Sequence, residues 1–133
     1  MKIILPVAGK GTRLRPHTHT KAKSLVHVAG KTVLEHIVSR LLVLGDIELI
    51  FITDENGQQV EACMKEKFPQ VACRYIVQKD RLGPAHAVSL AGEHIHEGDD
   101  VLVVFNDTIF VTELKRIPKL CADCDGLIYS KEV

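Results

Sequence analysis

The chain has 133 residues, of which 46% are hydrophobic and 26% charged, as is ordinary for one soluble globular domain with a buried core. No apolar run approaches the roughly 18 residues that a membrane-spanning helix needs, and Met1-Lys2 leads directly into a strand pattern, so we expect a cytoplasmic location. The net charge is zero, yet residues 1–34 hold seven Lys and Arg and no Asp or Glu, whereas the other 99 hold ten cations against seventeen acids. This polarity predicts that the first segment faces an anionic ligand.

The first strand pattern runs into a loop rich in glycine and basic residues. The apolar run at 3–5 is typical of a buried strand. Gly9 and Gly11 follow, and glycine can bring backbone N–H groups close to a phosphate. The loop adds five cations: Lys10, Arg13, Arg15, Lys21 and Lys23. Charge alone fits a solvated surface about equally well, but a strand, a glycine loop and then Gly30-Lys31 before a helix is the order typical of a phosphate site.

The basic loop also carries a longer pattern. It reads Gly9-Lys10-Gly11-Thr12-Arg13-Leu14-Arg15-Pro16, followed by Thr18 and Ala22-Lys23. It has no Walker A motif, and Leu14 stands where a dinucleotide fingerprint needs a third glycine. The pattern resembles the signature of the sugar-1-phosphate nucleotidylyltransferases, in which Gly-x-Gly-Thr-Arg-Leu is followed by Pro, Thr and Pro-Lys. Ala22 replaces that last proline, which should loosen the loop because alanine does not fix φ.

The resemblance implies roles for individual residues. Arg13 is expected to contact the β- and γ-phosphates and the charge that develops on the departing pyrophosphate, and Lys23 the sugar phosphate and the α-phosphate. The residues expected to bind the nucleotide in this segment are Leu5, Ala8, Gly9, Lys10, Gly11, Thr12 and Arg13. Arg13 and Lys23 are therefore the candidate catalytic cations.

A helix is predicted after the basic loop. Thr32-x-x-Glu35 is a capping box, in which each side chain bonds a backbone N–H of the other residue. The apolar residues of 33–44 fall at helical spacing on one broad face, as expected of a helix that covers a core. Gly45 predicts its C-terminal end.

The rest of the chain alternates strands and helices. After the first strand, apolar strands are predicted at 48–53, 71–77, 101–105 and 126–129. A helix is predicted from about Gln58 to Phe68, where Pro69 ends it. This alternation predicts an α/β fold with a doubly wound, mostly parallel, Rossmann-like sheet, which binds ligands at the carboxyl ends of its strands.

A second candidate segment follows the strand at 71–77. It reads Gln78-Lys-Asp-Arg-Leu-Gly83-Pro84-Ala85-His86-Ala87. The family resembled here carries a Gln, a Gly and an alanine-rich helix at this place, and the resemblance implies that Gln78 hydrogen-bonds the nucleotide base while Gly83 lets the base lie close to the backbone. Pro84 stands where relatives often have Thr; it suits the first position of a helix but removes a donor.

A candidate metal ligand follows the strand at 101–105. Asp107 is a carboxylate at the carboxyl end of a parallel strand, where it suits Mg²⁺, which binds one or two carboxylates plus phosphate oxygens and waters. A turn aspartate that caps the next segment is the plainer alternative. The family has a Gly-Asp pair here whose Asp binds Mg²⁺, so the resemblance makes Asp107 a metal ligand and catalytic residue. Asn106 replaces the Gly, and Asn is the next best residue for an unusual backbone angle.

Cysteines and histidines offer two further metal or redox patterns. Cys121-x-x-Cys124 has the spacing of half a zinc site or of a redox pair, but a second pair is missing and the motif falls where a helix should end, so packing and turn roles are favoured by about four to one. His86, His94 and His96 would need a further ligand that the sequence does not identify. Surface or cap roles are about five times more frequent for such histidines.

The resemblance covers essentially the whole chain, but members of the family are considerably longer, and their later half supplies most sugar contacts and a second metal-binding Asp. Residues 1–133 are therefore expected to be the N-terminal nucleotide-binding part of a nucleotidyltransferase domain, in truncated form. A sheet that stops after its fifth strand would leave an unpaired apolar edge, which predicts a homo-oligomer or other self-association.

The implied activity is transfer of a nucleoside monophosphate from a nucleoside triphosphate, with dTTP or UTP favoured, to a sugar 1-phosphate. The products are a nucleotide-sugar and pyrophosphate, and the implied cofactor is Mg²⁺. The expected partners are these two substrates rather than nucleic acid or a membrane. Two alternatives stay open: a nucleotide-binding module without turnover, and a nucleotidyltransferase that acts on a non-sugar phosphate.

Overall fold

The computed structural model describes residues 1–9, 22–55, 57–80 and 82–130. Their strands are β1 (Lys2–Pro6), β2 (His27–Val28), β3 (Lys31–Thr32), β4 (Glu48–Thr53), β5 (Ala72–Val77) and β6 (Val101–Val103). Their α-helices are α1 (Val33–Leu41), α2 (Gly57–Lys67), α3 (Pro84–Ser89) and α4 (Ile117–Leu120). Short 3₁₀ helices lie at Lys23–Leu25, Leu42–Leu44, Gly92–His94 and Leu114–Arg116.

Four strands form a parallel sheet in the order β5-β4-β1-β6. The chain starts at β1, moves outward through β4 to β5, and then returns to place β6 on the other side of β1. The order therefore reverses between β1 and β6, and this switch point is where open α/β sheets leave a crevice for ligands. The predicted α/β fold with a parallel sheet is confirmed.

Helices cover both faces of the sheet. On one face, Ile3, Leu5 and Phe51 pack with α1 and α2 in the larger core cluster. On the other face, Ile4 and the residues of β4 with the same orientation pack with α3 in a smaller cluster. Side chains of a strand alternate between faces, so these nearly all-apolar strands supply two cores at once. The predicted doubly wound arrangement follows from this division.

Helix α1 begins and ends as its sequence predicts. The Thr32 hydroxyl accepts a hydrogen bond from the Glu35 N–H at 3.1 Å, and the Thr32 N–H donates to the Glu35 carboxylate at 2.7 Å, so the capping box is complete. The 3₁₀ turn Leu42–Leu44 continues α1 up to Gly45, whose φ of +86° few other residues adopt. The helix is therefore fixed at both ends by local chemistry.

Pro6 lies in a central strand, where proline is rare. It is tolerated there because its backbone nitrogen faces β6 at a point where the pairing with β6 has ended. Lys2 N–H donates to Asp100 O, and Val104 N–H donates to Ile4 O, so even-numbered residues of β1 direct their backbone polar groups toward β6. Pro6 is the next such residue and has no N–H to donate. The pairing of β1 with β6 stops at Ile4, whereas its pairing with β4 continues to Pro6. The sheet therefore opens at the switch point.

Two predicted strands differ from the structure. Strand β6 ends at Val103 rather than at residue 105, as expected when the opposing strand reaches Pro6. The strand predicted at 126–129 is wrong: these residues are described and form no strand, and three apolar side chains there are exposed. An apolar run becomes a strand only when a neighbouring edge pairs with it. Within the described ranges, every helix is too short or too polar to span a bilayer.

Candidate active site

The carboxyl ends of the four parallel strands bring the predicted residues to one edge of the sheet. Ala8 and Gly9 follow β1, Gln78 follows β5 and Asp107 follows the end of β6. The N–H groups of Val7 and Ala8 both donate to Ile52 O, at 2.8 and 3.0 Å, which ties the start of the glycine loop to β4. A Cβ at Gly9 would meet no atom of the described residues within 4 Å, so these residues leave space beside it.

Of the other residues predicted to bind the nucleotide, one is buried and the rest lie outside the described residues. The Leu5 side chain is fully buried in the larger core. It therefore packs beneath the start of the loop, on the core side, and offers no side-chain contact to a ligand. The remaining predicted loop residues lie outside the described residues: Lys10, Gly11, Thr12 and Arg13. Arg15 and Lys21 lie outside them as well.

Lys23 and Asp107, 84 positions apart in sequence, meet at the switch point. Lys23 Nζ lies 3.7 Å from Asp107 Oδ2, and the two side chains are 31% and 55% exposed. The Thr108 hydroxyl donates to Asp107 Oδ1 at 3.3 Å. An exposed ion pair of this kind contributes about 0–1 kcal/mol, so both groups can change partners at little cost. The structure thus joins the predicted cation and the predicted carboxylate in one accessible place.

Gln59 holds the segment that carries Lys23, a role that the sequence did not reveal. The Ala22 N–H donates to Gln59 Oε1 at 3.1 Å and so anchors the 3₁₀ turn Lys23–Leu25 to α2. Helix α2 itself starts very close to the end of β4, because a Cβ at Gly57 would lie 2.6 Å from Thr53 Oγ1. The hydrogen bond between Ala22 and Gln59 joins residues 37 positions apart, and no local sequence pattern predicts it.

Asn106 differs from its predicted role. Ala29 is the only non-glycine residue at positive φ in the described part of the chain, so Asn106 does not replace glycine for the sake of an unusual backbone angle. The residue is instead 9% exposed, and its Nδ2 atom has no hydrogen-bond partner among the described residues. The explanation of this substitution by backbone conformation is therefore wrong.

The environment of Asp107 suits a divalent cation that is shared with a substrate. No group of three or more His, Cys, Asp and Glu side chains gathers as a metal site among the described residues. Mg²⁺ does not require such a cage, because it binds through one or two carboxylates together with substrate phosphates and water. The exposed Asp107 carboxylate fits that requirement when a triphosphate supplies the other oxygens.

Gln78, at the end of β5, is buried and held on several sides. The residue is 7% exposed, and its backbone N–H donates to Thr53 O at 2.8 Å. Its side-chain Nε2 lies 3.1 Å from His86 Nδ1 and 3.4 Å from Gly83 O. Gly83 has φ +99° and caps α3, and Pro84 occupies the first turn as predicted. Gly83 is thus explained by its backbone angle, and a Cβ there would point into open space.

Cys121, Cys124, His94 and His96 have partners other than the residues of this edge. Cys121 packs partly buried against the larger core just after α4, and Cys124 is exposed with its Sγ 3.4 Å from Leu120 O. Both cysteines are free thiols, in the packing and turn positions that were predicted. The His94 carbonyl accepts a hydrogen bond from the Lys2 ammonium, and the His96 N–H donates to the Asp99 carboxylate at 2.7 Å.

A separate groove of about 550 Å³ lies between the Lys23–Leu25 turn, α1 and α2. Glu35 and Glu66 are among its lining residues. The N–H of Thr32 holds the pKa of the Glu35 carboxyl below its ordinary value, which keeps this residue negative. Lys67 also lines the groove and pairs with Glu66 at 2.8 Å, so this lining combines both signs of charge.

Known proteins resemble this chain over most of its length. The family model described as nucleotidyl transferase matches residues 1–126. The chain is 32% identical over 126 residues to the bifunctional protein GlmU of Methylibium petroleiphilum, which is 95% of this chain and 26% of that protein. It is 33% identical over 119 residues to the UTP–glucose-1-phosphate uridylyltransferase AglF of Haloferax volcanii, which is 90% of this chain and 48% of that protein.

Solved structures give the same fold. The UDP-glucose pyrophosphorylase from Acinetobacter baumannii superposes with a TM-score of 0.69 at 26% identity, over 80% of this chain and 45% of that chain. The chain therefore spans between about a quarter and a half of the length of the proteins that it matches.

Proposed function

Because the chain belongs to the nucleotidyl transferase family, we propose that it forms the nucleotide-binding N-terminal part of an enzyme that transfers a nucleoside monophosphate from a nucleoside triphosphate to a sugar 1-phosphate. The observation that carries the proposal is the approach of Lys23 to Asp107 at the switch point, 3.7 Å apart and open to solvent. The names of two relatives specify a uridine nucleotide, which supports UTP, with dTTP as the close analogue.

The chemistry of the proposed reaction matches these side chains. The attacking oxygen belongs to a phosphate that is already ionised, so the reaction needs positioning and charge neutralisation rather than a general base. Lys23 would leave Asp107 when substrate arrives and contact the sugar phosphate and the α-phosphate. Arg13, which lies outside the described residues, is proposed for the β- and γ-phosphates and the departing pyrophosphate.

Asp107 is the residue that we assign to the metal. A divalent cation held there, which we propose to be Mg²⁺, would neutralise triphosphate oxygens and leave the α-phosphorus open to in-line attack. The open backbone at Gly9 and the tethered N–H groups at the end of β1 would line the phosphates, and Gln78 would contact the base. Charge thus lies at one end of the proposed site and a neutral amide at the other.

Pyrophosphate release tests the proposal. The chain is incubated with Mg²⁺, glucose 1-phosphate and, in turn, ATP, CTP, GTP, UTP and dTTP. The Asp107→Ala variant is measured alongside Asp46→Ala, which removes an exposed carboxylate that precedes β4 at the opposite edge of the sheet. Release with UTP or dTTP that is lost only in Asp107→Ala is the expected result.

Two other results would support the alternatives. Triphosphate binding without release, for every acceptor tried, would favour a nucleotide-binding module. Release that requires a non-sugar phosphate in place of glucose 1-phosphate would favour a nucleotidyltransferase of different acceptor class. The absence of any nucleotide binding would contradict the proposal and both alternatives.

We also propose that copies of the chain associate through the outer strand β6. The apolar edge expected after a fifth strand is not formed, but Val101, Val103 and Phe105 are exposed on one side of β6 and its extension. Exposed apolar side chains on an edge strand favour pairing with a second chain. Sedimentation of the chain and of Val103→Lys is the test, and a monomer in both cases would contradict the proposal.

A further inference from the structure

The Gln78 amide is oriented by two neighbours on the turn into α3. Its Nε2 lies 3.4 Å from Gly83 O and 3.1 Å from His86 Nδ1. Both neighbours are positioned by the same backbone feature, because Gly83 at φ +99° starts α3 with Pro84 in its first turn and directs His86 back toward β5. A residue that is only 7% exposed has little water to compete for its polar atoms.

The chemistry of these neighbours determines which end of the amide they contact. A carbonyl oxygen can only accept, so the amide atom near Gly83 O is the NH₂ group rather than the oxygen. The same NH₂ group then donates to His86 Nδ1, which must be an acceptor. His86 is therefore the neutral tautomer with its proton on Nε2, an assignment that follows from the hydrogen-bond network.

The remaining amide atom is an acceptor. Both hydrogens of the NH₂ group are used within the turn, and no hydrogen bond to Gln78 Oε1 is formed by the described part of the chain. A base that reaches Gln78 therefore meets an oxygen and must offer an N–H. Uracil and thymine carry an N–H at position 3 of the ring, whereas cytosine has a bare acceptor nitrogen there, which would face Oε1 with like partial charge.

We infer that His86 is a positioning residue: it fixes which end of the Gln78 amide faces the base and so selects nucleotides whose base carries an N–H at ring position 3. This inference rests on the proposed function, because it requires a nucleotide base beside Gln78. In this inference His86 acts through Gln78 and makes no contact with the base itself. It acts only by accepting one hydrogen bond, which holds the amide against a flip of 180°.

Two substitutions of His86 separate the acceptor from the shape of the side chain. Asn carries its Oδ1 at the same number of bonds from the backbone as His Nδ1, whereas Leu has a methyl group there. The chain, His86→Asn and His86→Leu are titrated with UTP and with CTP by calorimetry, and the ratio of the two dissociation constants is compared. Ser89→Ala is the matched control, because the Ser89 hydroxyl donates to the His86 carbonyl on the same helix without touching Gln78.

We expect the preference for UTP over CTP to fall by about three- to tenfold in His86→Leu, the range for one hydrogen bond, and to stay within about twofold in His86→Asn and Ser89→Ala. An unchanged ratio in His86→Leu would overturn the inference. Equal losses in His86→Asn and His86→Leu would overturn it too, because the acceptor would then be irrelevant.

A spectroscopic measurement does not depend on the variants. Long-range ¹H–¹⁵N correlation of the unmodified chain identifies the tautomer of His86. A proton on Nε2 and a bare Nδ1 are expected, and a proton on Nδ1 would overturn the inference even if His86→Leu fails to fold. Binding of UTP and CTP with equal affinity by the unmodified chain would overturn the inference alone, whereas no binding of either nucleotide would contradict the proposed function as well.

Discussion

The two ends of the candidate site use opposite physical means. Beyond the end of β6, Lys23 and Asp107 are charged, 31% and 55% exposed, and 3.7 Å apart. At the end of β5, Gln78 is neutral, 7% exposed and bonded through its side chain to the turn that begins α3. A triphosphate carries several charges whose positions change during transfer, so groups that can exchange partners suit it. A base is planar and neutral, so an amide that is buried and held in one orientation suits it.

The same contrast determines how strongly the contacts at each end hold when no ligand is bound. The Lys23–Asp107 pair lies in solvent, where an ion pair contributes about 0–1 kcal/mol and weakens with salt. The contacts of Gln78 are shielded from water, so the orientation of its amide persists when the ligand is absent. The comparison predicts that changes at one end alter phosphate binding and turnover, and that changes at the other alter the choice of base.

The largest expected effect follows removal of the cation. Lys23→Ala should lower the rate of pyrophosphate release about 100-fold, because one positioned charge on the reacting phosphates is lost. The UTP to CTP ratio should stay the same, and the melting temperature should hardly change for so exposed a pair. Lys65→Ala, which removes a lysine from the exposed pair with Glu61, should have no effect on the rate. A change in base preference in Lys23→Ala would contradict the separation of the two ends.

The next effect concerns the base. Gln78→Leu should weaken UTP binding about tenfold, since a base N–H is left without its acceptor, while CTP binding changes little. Calorimetric titration of both nucleotides measures this, with circular dichroism to confirm the fold. Equal weakening of both nucleotides would indicate that Gln78 supports the fold and does not read the base.

A smaller effect is expected from salt. Raising KCl should weaken binding of the triphosphate several-fold, because exposed charges are screened over about 10 Å at 0.1 M and less at higher salt. The UTP to CTP ratio should not move, because the amide contacts are neutral and buried. Titrations of both nucleotides over a series of KCl concentrations provide the test. A UTP to CTP ratio that falls as salt rises would indicate that a charged group contacts the base.

The smallest effect lies outside both ends, at the capping box of α1. The backbone N–H of Thr32 lowers the pKa of Glu35, so the folded state favours the charged form. That stabilisation is present above the ordinary glutamate pKa and is lost as the pH falls through the lowered value in the folded state. Glu35→Gln should therefore be less stable by no more than about 1 kcal/mol at pH 7, and the difference should shrink in acid. Urea unfolding across pH checks this, with unchanged nucleotide binding as the control.

Local signals predicted the parts of the molecule that depend on neighbours in sequence. The capping box of α1, the apolar strand β4 and Pro84 in the first turn of α3 each depend on nearby atoms. The carboxyl ends of the strands were predicted to meet, and that followed from alternation of strands and helices. The approach of Lys23 to Asp107 is consistent with that prediction.

The features that sequence did not reveal depend on distant partners. No pattern shows that Gln59 bonds the backbone at Ala22, because the two lie on separate elements. The apolar run at 126–129 has strand composition but no paired edge, so propensity alone overpredicts it. The contact of His86 with Gln78 depends on the positive φ of Gly83, which turns α3 back toward β5.

The central claim is that the phosphates and the base are bound at separate ends of one site. Measuring the binding of pyrophosphate and of uridine separately tests it most directly. Pyrophosphate and uridine are each titrated, with Mg²⁺, into the unmodified chain, Lys23→Ala and Gln78→Leu. We predict that Lys23→Ala weakens pyrophosphate and spares uridine, and that Gln78→Leu weakens uridine and spares pyrophosphate. Equal weakening of both ligands by either variant would contradict the claim.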